Sequence, residues 1–277
     1  MLKNVGLYII WDLYAYAIIF LYFFLINFII MSMRHESLLR KVSIVLVDTK
    51  TPANIGATAR CMMNMGLSHL VLVRPPSDEA HEATKLAADA VGILNSAEVY
   101  SSLKDAIADQ MLVFGTSRHK GKLRENLHTP HEAAKLIIAA LCQNKIAILF
   151  GNEVNGLDRD DLSLCHEFIT IPSSYAFPSL NLSHAVMIIA YELFIASKEK
   201  PISYTRELAR AGAIEDFYRH LQHTLEDIDF LDRSSPQRMM FSLRQLFGRS
   251  RLSRRDVSIL RGILTAMDRI SASASIK

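Results

Sequence analysis

From Val42 onward, short runs of β-branched and aliphatic residues alternate with stretches of helical periodicity, and this alternation is what most constrains the fold. It predicts strands at Val42–Val47, His69–Val73, Met111–Gly115, Lys145–Phe150 and Glu167–Ile171, with helices between them. Strands separated by helices make βαβ units, so the expected class is α/β with a mostly parallel sheet. The helix before the Lys145 strand opens on Thr129-Pro-His-Glu132. This offers an N-cap threonine, a proline at the first helical position and a capping-box glutamate. A last helix is expected from about Asn181 to Ser197, where Leu182, Val186, Ile189, Ala190 and Leu193 recur at helical spacing.

The chain is expected to divide into a hydrophobic N-terminal extension (1–33), the α/β domain (34–198), a linker around Pro201 (199–205) and a small α-helical C-terminal domain (206–277). With 277 residues, 50% of them hydrophobic, it can bury one sizeable core and carry a small second domain. Its three cysteines, Cys61, Cys142 and Cys165, are odd in number and widely spaced, which argues against a disulfide framework or a zinc site. A reducing cytoplasm suits such a chain.

The net charge of +3 is too small to imply a nucleic-acid partner, but it is unevenly distributed. Between Arg233 and Arg261 lie eight arginines and one acid, Asp256, with Phe241, Leu243, Leu246, Phe247, Ile259, Leu260, Ile263 and Leu264 as an apolar counterface. Two readings fit: a helical bundle with a solvated basic face, or a surface that contacts phosphates.

At the other end, Leu13 to Met33 carries no charged side chain, and its nineteen-residue run Leu13–Met31 is long enough as a helix to cross a bilayer. One reading is a membrane anchor; Arg34, Arg40 and Lys41 against Lys3 would then keep the rest cytoplasmic. The other is an upstream extension that is not made in the cell, with Met33 as the natural start. Both leave the α/β domain in the cytosol.

Three loops carry the chemistry. The first, Asp48 to Arg60, follows the first strand and contains Asn54-Ile-Gly-Ala-Thr-Ala-Arg60; singly its residues could be a helix start and a surface arginine. The second, Gly151-Asn-Glu-Val-Asn-Gly-Leu157, follows a buried strand with glycines that permit a turn with exposed amides, and places Glu153 beside it. The third, Pro178-Ser-Leu-Asn-Leu-Ser183, offers Ser179 and Asn181 as helix-capping groups. A further loop, Gly115-Thr-Ser-Arg-His-Lys-Gly-Lys122, follows the Met111 strand. No glycine-rich dinucleotide fingerprint precedes a helix, which counts against a Rossmann-type dinucleotide enzyme.

In this order the three loops resemble the signature motifs of the SpoU branch of the SPOUT methyltransferases. Asp216-Phe-Tyr-Arg-His-Leu, Phe230-Leu-Asp, Arg251-Leu-Ser-Arg-Arg and Ile259-Leu-Arg-Gly-Ile-Leu are similar to the helical extension of its TrmJ group. The resemblance implies a parallel sheet with a C-terminal trefoil knot, a homodimer, and transfer of a methyl group from S-adenosylmethionine to a ribose 2'-hydroxyl of tRNA, at nucleotide 32 of the anticodon loop. Ribosomal RNA as substrate, and a non-catalytic RNA-binding protein on the same fold, are the alternatives.

By resemblance, Thr116, Ser117, Arg118, Gly151, Ile171, Ser179 and Leu180 line the cofactor pocket, and Arg60, Asn54, Glu153, Ser179 and Asn181 form the catalytic set. RNA contacts are expected from Arg60, Arg249, Arg251, Arg254 and Arg255. The group's usual Thr-Ser-Ala-Arg reads Thr116-Ser117-Arg118-His119 here, which leaves open whether Arg118, His119 or Lys120 serves the site. Arginine stays protonated at ordinary pH, so Arg60 is read as holding a phosphate or the developing oxyanion rather than as a base. No acidic cluster suggests a catalytic metal.

Overall fold

The structure, a computed structural model, describes residues 38–76, 80–118, 126–176, 178–199, 207–232, 235–248 and 250–274. Seven parallel strands form one sheet: β1 (Val42–Val47), β2 (His69–Val73), β3 (Glu98–Tyr100), β4 (Leu112–Thr116), β5 (Leu127–His128), β6 (Ile146–Phe150) and β7 (Glu167–Ile169), in the order β3-β2-β1-β6-β4-β7-β5. The helices of this part are α1 (Pro52–Asn64), α2 (Ala80–Ala87), α3 (Val91–Asn95), α4 (Leu103–Ala106), α5 (Pro130–Ala140), α6 (Arg159–Ser163) and α7 (Leu182–Lys198).

Both faces of the sheet are covered, as parallel sheets require, and β1 and β6 are buried along their whole length. Side chains alternate between two cores. Ile44, Leu46, Ile148 and Phe150 pack with Met62 of α1, Ile137 of α5 and Val186 and Leu193 of α7. Val45, Val47, Val113 and Leu149 face the other way, onto Leu103 and Ala106 of α4 and Leu162 of α6. Gly56 lets α1 and α2 touch, because a Cβ there would lie 2.0 Å from the Ala83 carbonyl oxygen of α2. Its role is close helix packing.

The capping box expected at Thr129 is formed, with the Thr129 side chain accepting from Glu132 N and the Glu132 carboxylate accepting from Thr129 N. Asn181 caps α7, accepting from Ser183 N at 2.9 Å. Ser179, expected as a second cap, instead takes a hydrogen bond from the Arg118 guanidinium at 2.9 Å. The strands β3 and β5 were not expected; with three and two residues, they exist through pairing with β2 and β7.

A helical extension follows, comprising α8 (Ala211–Asp227), α9 (Pro236–Gly248) and α10 (Arg254–Ala274). Ile214, Phe217, Tyr218, Leu221, Met240, Val257 and Leu264 give it a separate small core. Leu243, Phe247 and Leu260 lie against this core as expected of the counterface, whereas Leu246, Ile259 and Ile263 stay exposed. The extension docks on the edge of the sheet where the strands begin. Ala211 N and Gly212 N donate to the carbonyls of Gln110 and Ala108 at 2.6 and 3.0 Å, and Leu208 N donates to the Asn144 side chain at 3.0 Å. The Ala211 and Gly212 bonds satisfy N–H groups that the start of α8 leaves without intrahelical partners.

The N-terminal extension 1–33 and most of the expected linker lie outside the described residues. Among the described residues, no helix is long and apolar enough to cross a membrane.

Candidate active site

The opposite edge of the sheet, where the strands end, gathers the four loops. After β6, a tight turn runs from Gly151 to Gly156, closed by Gly156 N donating to Asn152 O at 2.9 Å. The Asn152 side chain accepts from Val154 N and Asn155 N at 3.0 and 2.8 Å, which fixes the turn from inside. Gly156 has φ of 71°, and a Cβ on Gly151 would meet the Gly156 carbonyl carbon at 2.0 Å, so glycine is required at both positions.

This turn aims Glu153 at the loop after β1. Its carboxylate accepts from Lys50 N at 3.0 Å, Thr51 N at 3.2 Å and Asn54 Nδ2 at 2.7 Å. Asn54, in the first turn of α1, accepts in turn from Asn181 Nδ2 at 3.0 Å. One hydrogen-bonded chain, Glu153–Asn54–Asn181–Ser183, therefore joins loops about a hundred residues apart in sequence. Burial opposes ionisation of Glu153, but the bonds from Asn54 and the Lys50 and Thr51 backbone outweigh it and hold the carboxyl below its ordinary range. Glu153 is a fixed anion.

Beside it opens a cleft of about 1010 Å³, counting the part open to solvent. Thr116, Ser117, Arg118, Gly151, Ile171, Ser179 and Leu180, the seven residues expected around a cofactor, all line it, together with Glu153. Ser117 N donates to Ile169 O at 2.9 Å and Thr116 Oγ1 to Leu149 O at 2.9 Å, fixing the loop after β4 to the neighbouring strands. Phe150, Leu157, Ile169 and Leu182 add apolar wall beyond the expected cofactor set; Leu157 and Leu182 lie inside the second and third motifs and Phe150 and Ile169 end the strands before them, and that position was the available signal. A wall that mixes apolar and polar residues, with one held carboxylate, suits a nucleoside joined to a positively charged sulfonium.

Asn54 and Asn181 stand behind Glu153 rather than on the cleft wall. Arg60 does not line the cleft either. It projects from the exposed side of α1, six residues and about 9 Å beyond Asn54, with no hydrogen bond or ion pair among the described residues.

The basic tail is only partly free. Arg254 and Arg255 are exposed at the start of α10, Arg254 at 4.0 Å from Glu207. Arg251, expected on the RNA-facing surface, is instead committed to the α/β part, with Nε and Nη2 at 2.9 and 2.8 Å from one oxygen of Glu167. Arg244 is likewise engaged, forked onto Glu215 with Nη2 at 2.9 Å from Oε2 and stacked over the Tyr218 ring at 4.4 Å. Arg249 lies outside the described residues.

Comparison with known proteins accords with this geometry. Residues 41–191 match the model of the SpoU rRNA Methylase family, and residues 212–276 that of the tRNA methyltransferase TrmJ C-terminal domain. A curated relative from Pseudomonas aeruginosa, tRNA (cytidine/uridine/adenosine-2'-O-)-methyltransferase TrmJ, is 38% identical over 253 residues, covering 87% of this chain and 98% of its own. The tRNA (cytidine/uridine-2'-O-)-methyltransferase TrmJ of Sodalis glossinidius is 37% identical over 83% of this chain and 92% of its own. Among solved structures, TrmJ from Z. mobilis superposes with a TM-score of 0.73 at 31% identity, covering 82% of this chain and 98% of that one.

Proposed function

We infer the function from one premise: this chain belongs to the SpoU methylase family, within its TrmJ group. We propose that it is an S-adenosylmethionine-dependent tRNA 2'-O-methyltransferase that modifies the ribose of nucleotide 32 in the anticodon loop. The observation that carries this reading is the Glu153–Asn54–Asn181 chain at the wall of a cleft lined by all seven expected cofactor residues.

Thr116, Ser117, Gly151, Ile171, Ser179 and Leu180 would hold the cofactor, with Arg118 and Glu153 as the charged groups on the wall. Bound there, the cofactor supplies an electrophilic methyl group on sulfur. The protein's own part is to orient the ribose hydroxyl in line with that methyl and to exclude water. Arg60, free of partners within the described residues, holds the target phosphate or the developing oxyanion. Glu153 serves by locking the three loops together. Its carboxylate is already occupied by three N–H donors.

The same reading includes a trefoil knot in the last part of the α/β domain (34–198) and a cytoplasmic homodimer. Met63 of α1 and Tyr191 and Ile195 of α7, large and solvent-facing in one chain, support a subunit interface on that side. The helical domain (206–277), reached through the linker 199–205, contributes Arg254 and Arg255 to tRNA binding.

The test is to incubate the purified full chain with methyl-labelled S-adenosylmethionine and unmodified tRNA, and to map the labelled nucleoside. A 2'-O-methylated nucleotide 32 is expected. Label in ribosomal RNA instead, or at another tRNA position, overturns the assignment.

A further inference from the structure

Of the three shortest strands of the sheet, β7 supplies Ile169 to the cleft wall and β5 pairs with β7. β7 has three residues and β5 two, well below the usual strand length of about five or six. The downstream end of β7 matters most to the site: Ile169 and, just beyond it, Ile171 line the cleft, and Ser117, which also lines it, is fixed by its N–H bond to Ile169 O. Phe168 N donates to Asn126 O and Thr170 N to His128 O, so the two strands hold each other in register.

At the upstream end, both are gripped by one side chain. Glu167 opens β7 and is only 3% exposed. One of its oxygens meets His128 Nε2 of β5 at 2.8 Å, and the other receives Nε and Nη2 of Arg251 at 2.9 and 2.8 Å. Arg251 comes from the helical extension, in the turn between α9 and α10, with φ of 44°. That left-handed conformation is rarely adopted by a side-chain-bearing residue and persists only where the surroundings impose it. A buried carboxylate stripped of its guanidinium becomes an incompletely compensated charge, which the local structure relieves by moving.

Among the described residues, none of the extension touches the cleft: the lining runs from Thr116 to Ala185. Taking the cleft as the cofactor site, as proposed above, we propose that Arg251 is a positioning residue for S-adenosylmethionine. Through Glu167 it holds β7, whose far end shapes the cleft, together with β5, which is tied to Glu167 by His128 and keeps β7 in register, so that docking of the C-terminal extension sets cofactor affinity before any RNA arrives. The extension is thereby a structural part of the cofactor site in addition to its role toward tRNA.

The experiment measures S-adenosylmethionine binding to the full chain by calorimetry without RNA, alongside amide hydrogen exchange over residues 126–128 and 167–171. Wild-type chain should bind, and Ile171→Arg, which fills the cleft, should abolish binding. Failure of either removes the cleft reading, and the proposal with it. Given that binding, Arg251→Ala should weaken it by about 3- to 30-fold, the range expected when a coupled residue remote from the ligand is changed. It should also raise KM for the cofactor more than it lowers kcat and speed exchange at Phe168 and Thr170. Arg251→Lys, which keeps the charge, should recover most of the affinity and tests the same point should the alanine variant fold poorly. Wild-type affinity and exchange in Arg251→Ala, or equal losses in the alanine and lysine variants, overturn the proposal while leaving the cleft reading intact.

Discussion

Replacing Glu153 by glutamine changes one oxygen to an NH2 group and nothing else in size. The carboxylate takes Lys50 N on one oxygen and Thr51 N and Asn54 Nδ2 on the other. A glutamine keeps the better-supplied acceptor if its oxygen faces Thr51 and Asn54, and its NH2 then confronts the Lys50 N–H donor to donor. One bond to a charged acceptor is lost outright, worth about 1.5–3 kcal/mol, and the surviving pair becomes neutral and weaker. Because the group is only partly buried, solvent screens some of this, and a loss of about 2 kcal/mol is expected. For a chain of this size that lowers Tm by about 4–8 °C.

The pH dependence gives an independent check on the same group. Its folded-state pKa lies below the ordinary 4.5, so its stabilisation is present above that value and disappears as pH falls through the folded pKa. The difference between wild type and Glu153→Gln in thermal unfolding should accordingly be full at pH 7 and shrink as pH falls below 4.5. Methyl transfer by the variant should fall with it, since the loops are held by this anion. A variant with wild-type Tm and turnover at pH 7 would refute the view that Glu153 locks the three loops.

Three further outcomes are expected. Gly151→Ala would push a Cβ to 2.0 Å from the Gly156 carbonyl carbon and 2.1 Å from Leu157 N, forcing the turn open; cofactor affinity measured by calorimetry should drop by about tenfold or more. His166 accepts the Val113 N–H, and burial holds it neutral down to about pH 4 against an ordinary 6.5, with Glu167 and Glu215 opposing that shift and Arg244 assisting it. Between those values the unfolded chain binds a proton that the folded chain does not. The unfolding free energy from urea titrations should therefore fall as pH drops from 6.5 toward 4, by up to about 1.4 kcal/mol per pH unit, and more shallowly in His166→Gln. Arg60→Ala should cut turnover by about 100-fold or more while moving Tm by less than about 1 °C, because the side chain is exposed and unpaired within the described residues.

What the sequence revealed of this fold follows from where hydrophobic periodicity is strong. β1 and β2 run over the residues expected, and β4 and β6 within one residue at their ends, because each is a buried β-branched run closed by polar or turn-forming residues. The Glu98–Tyr100 strand carries no such run; two of its three residues are exposed, and it is a strand only because β2 offers it an edge. The loops of the site were legible as motifs, but their mutual bonding was not, since two of the three groups that hold Glu153 are backbone N–H groups common to every sequence. Arg251 shows the converse failure. Amid a run of arginines it reads as one more phosphate ligand, and only a contact across 84 residues of chain reveals it as the partner of a buried glutamate.

The position of β6 governs how this sheet can be assembled. It lies between β1 and β4, and pairs Val42 with Ile146, more than a hundred residues later, whereas β1 and β2 meet after fewer than thirty. During synthesis, β1, β2 and β3 can come together with their helices early, while one side of β1 and both sides of β4 remain without partners until Phe150 has emerged. Contacts of such long sequence separation slow folding, and open strand edges invite pairing with other chains. A ribosome stalled anywhere between Thr116 and Lys145 thus holds the half-sheet β3-β2-β1 and an unpaired β4, with the slot between them empty. The late strand acts as a keystone, and fragments ending before it should be chaperone clients or aggregates rather than small folded domains.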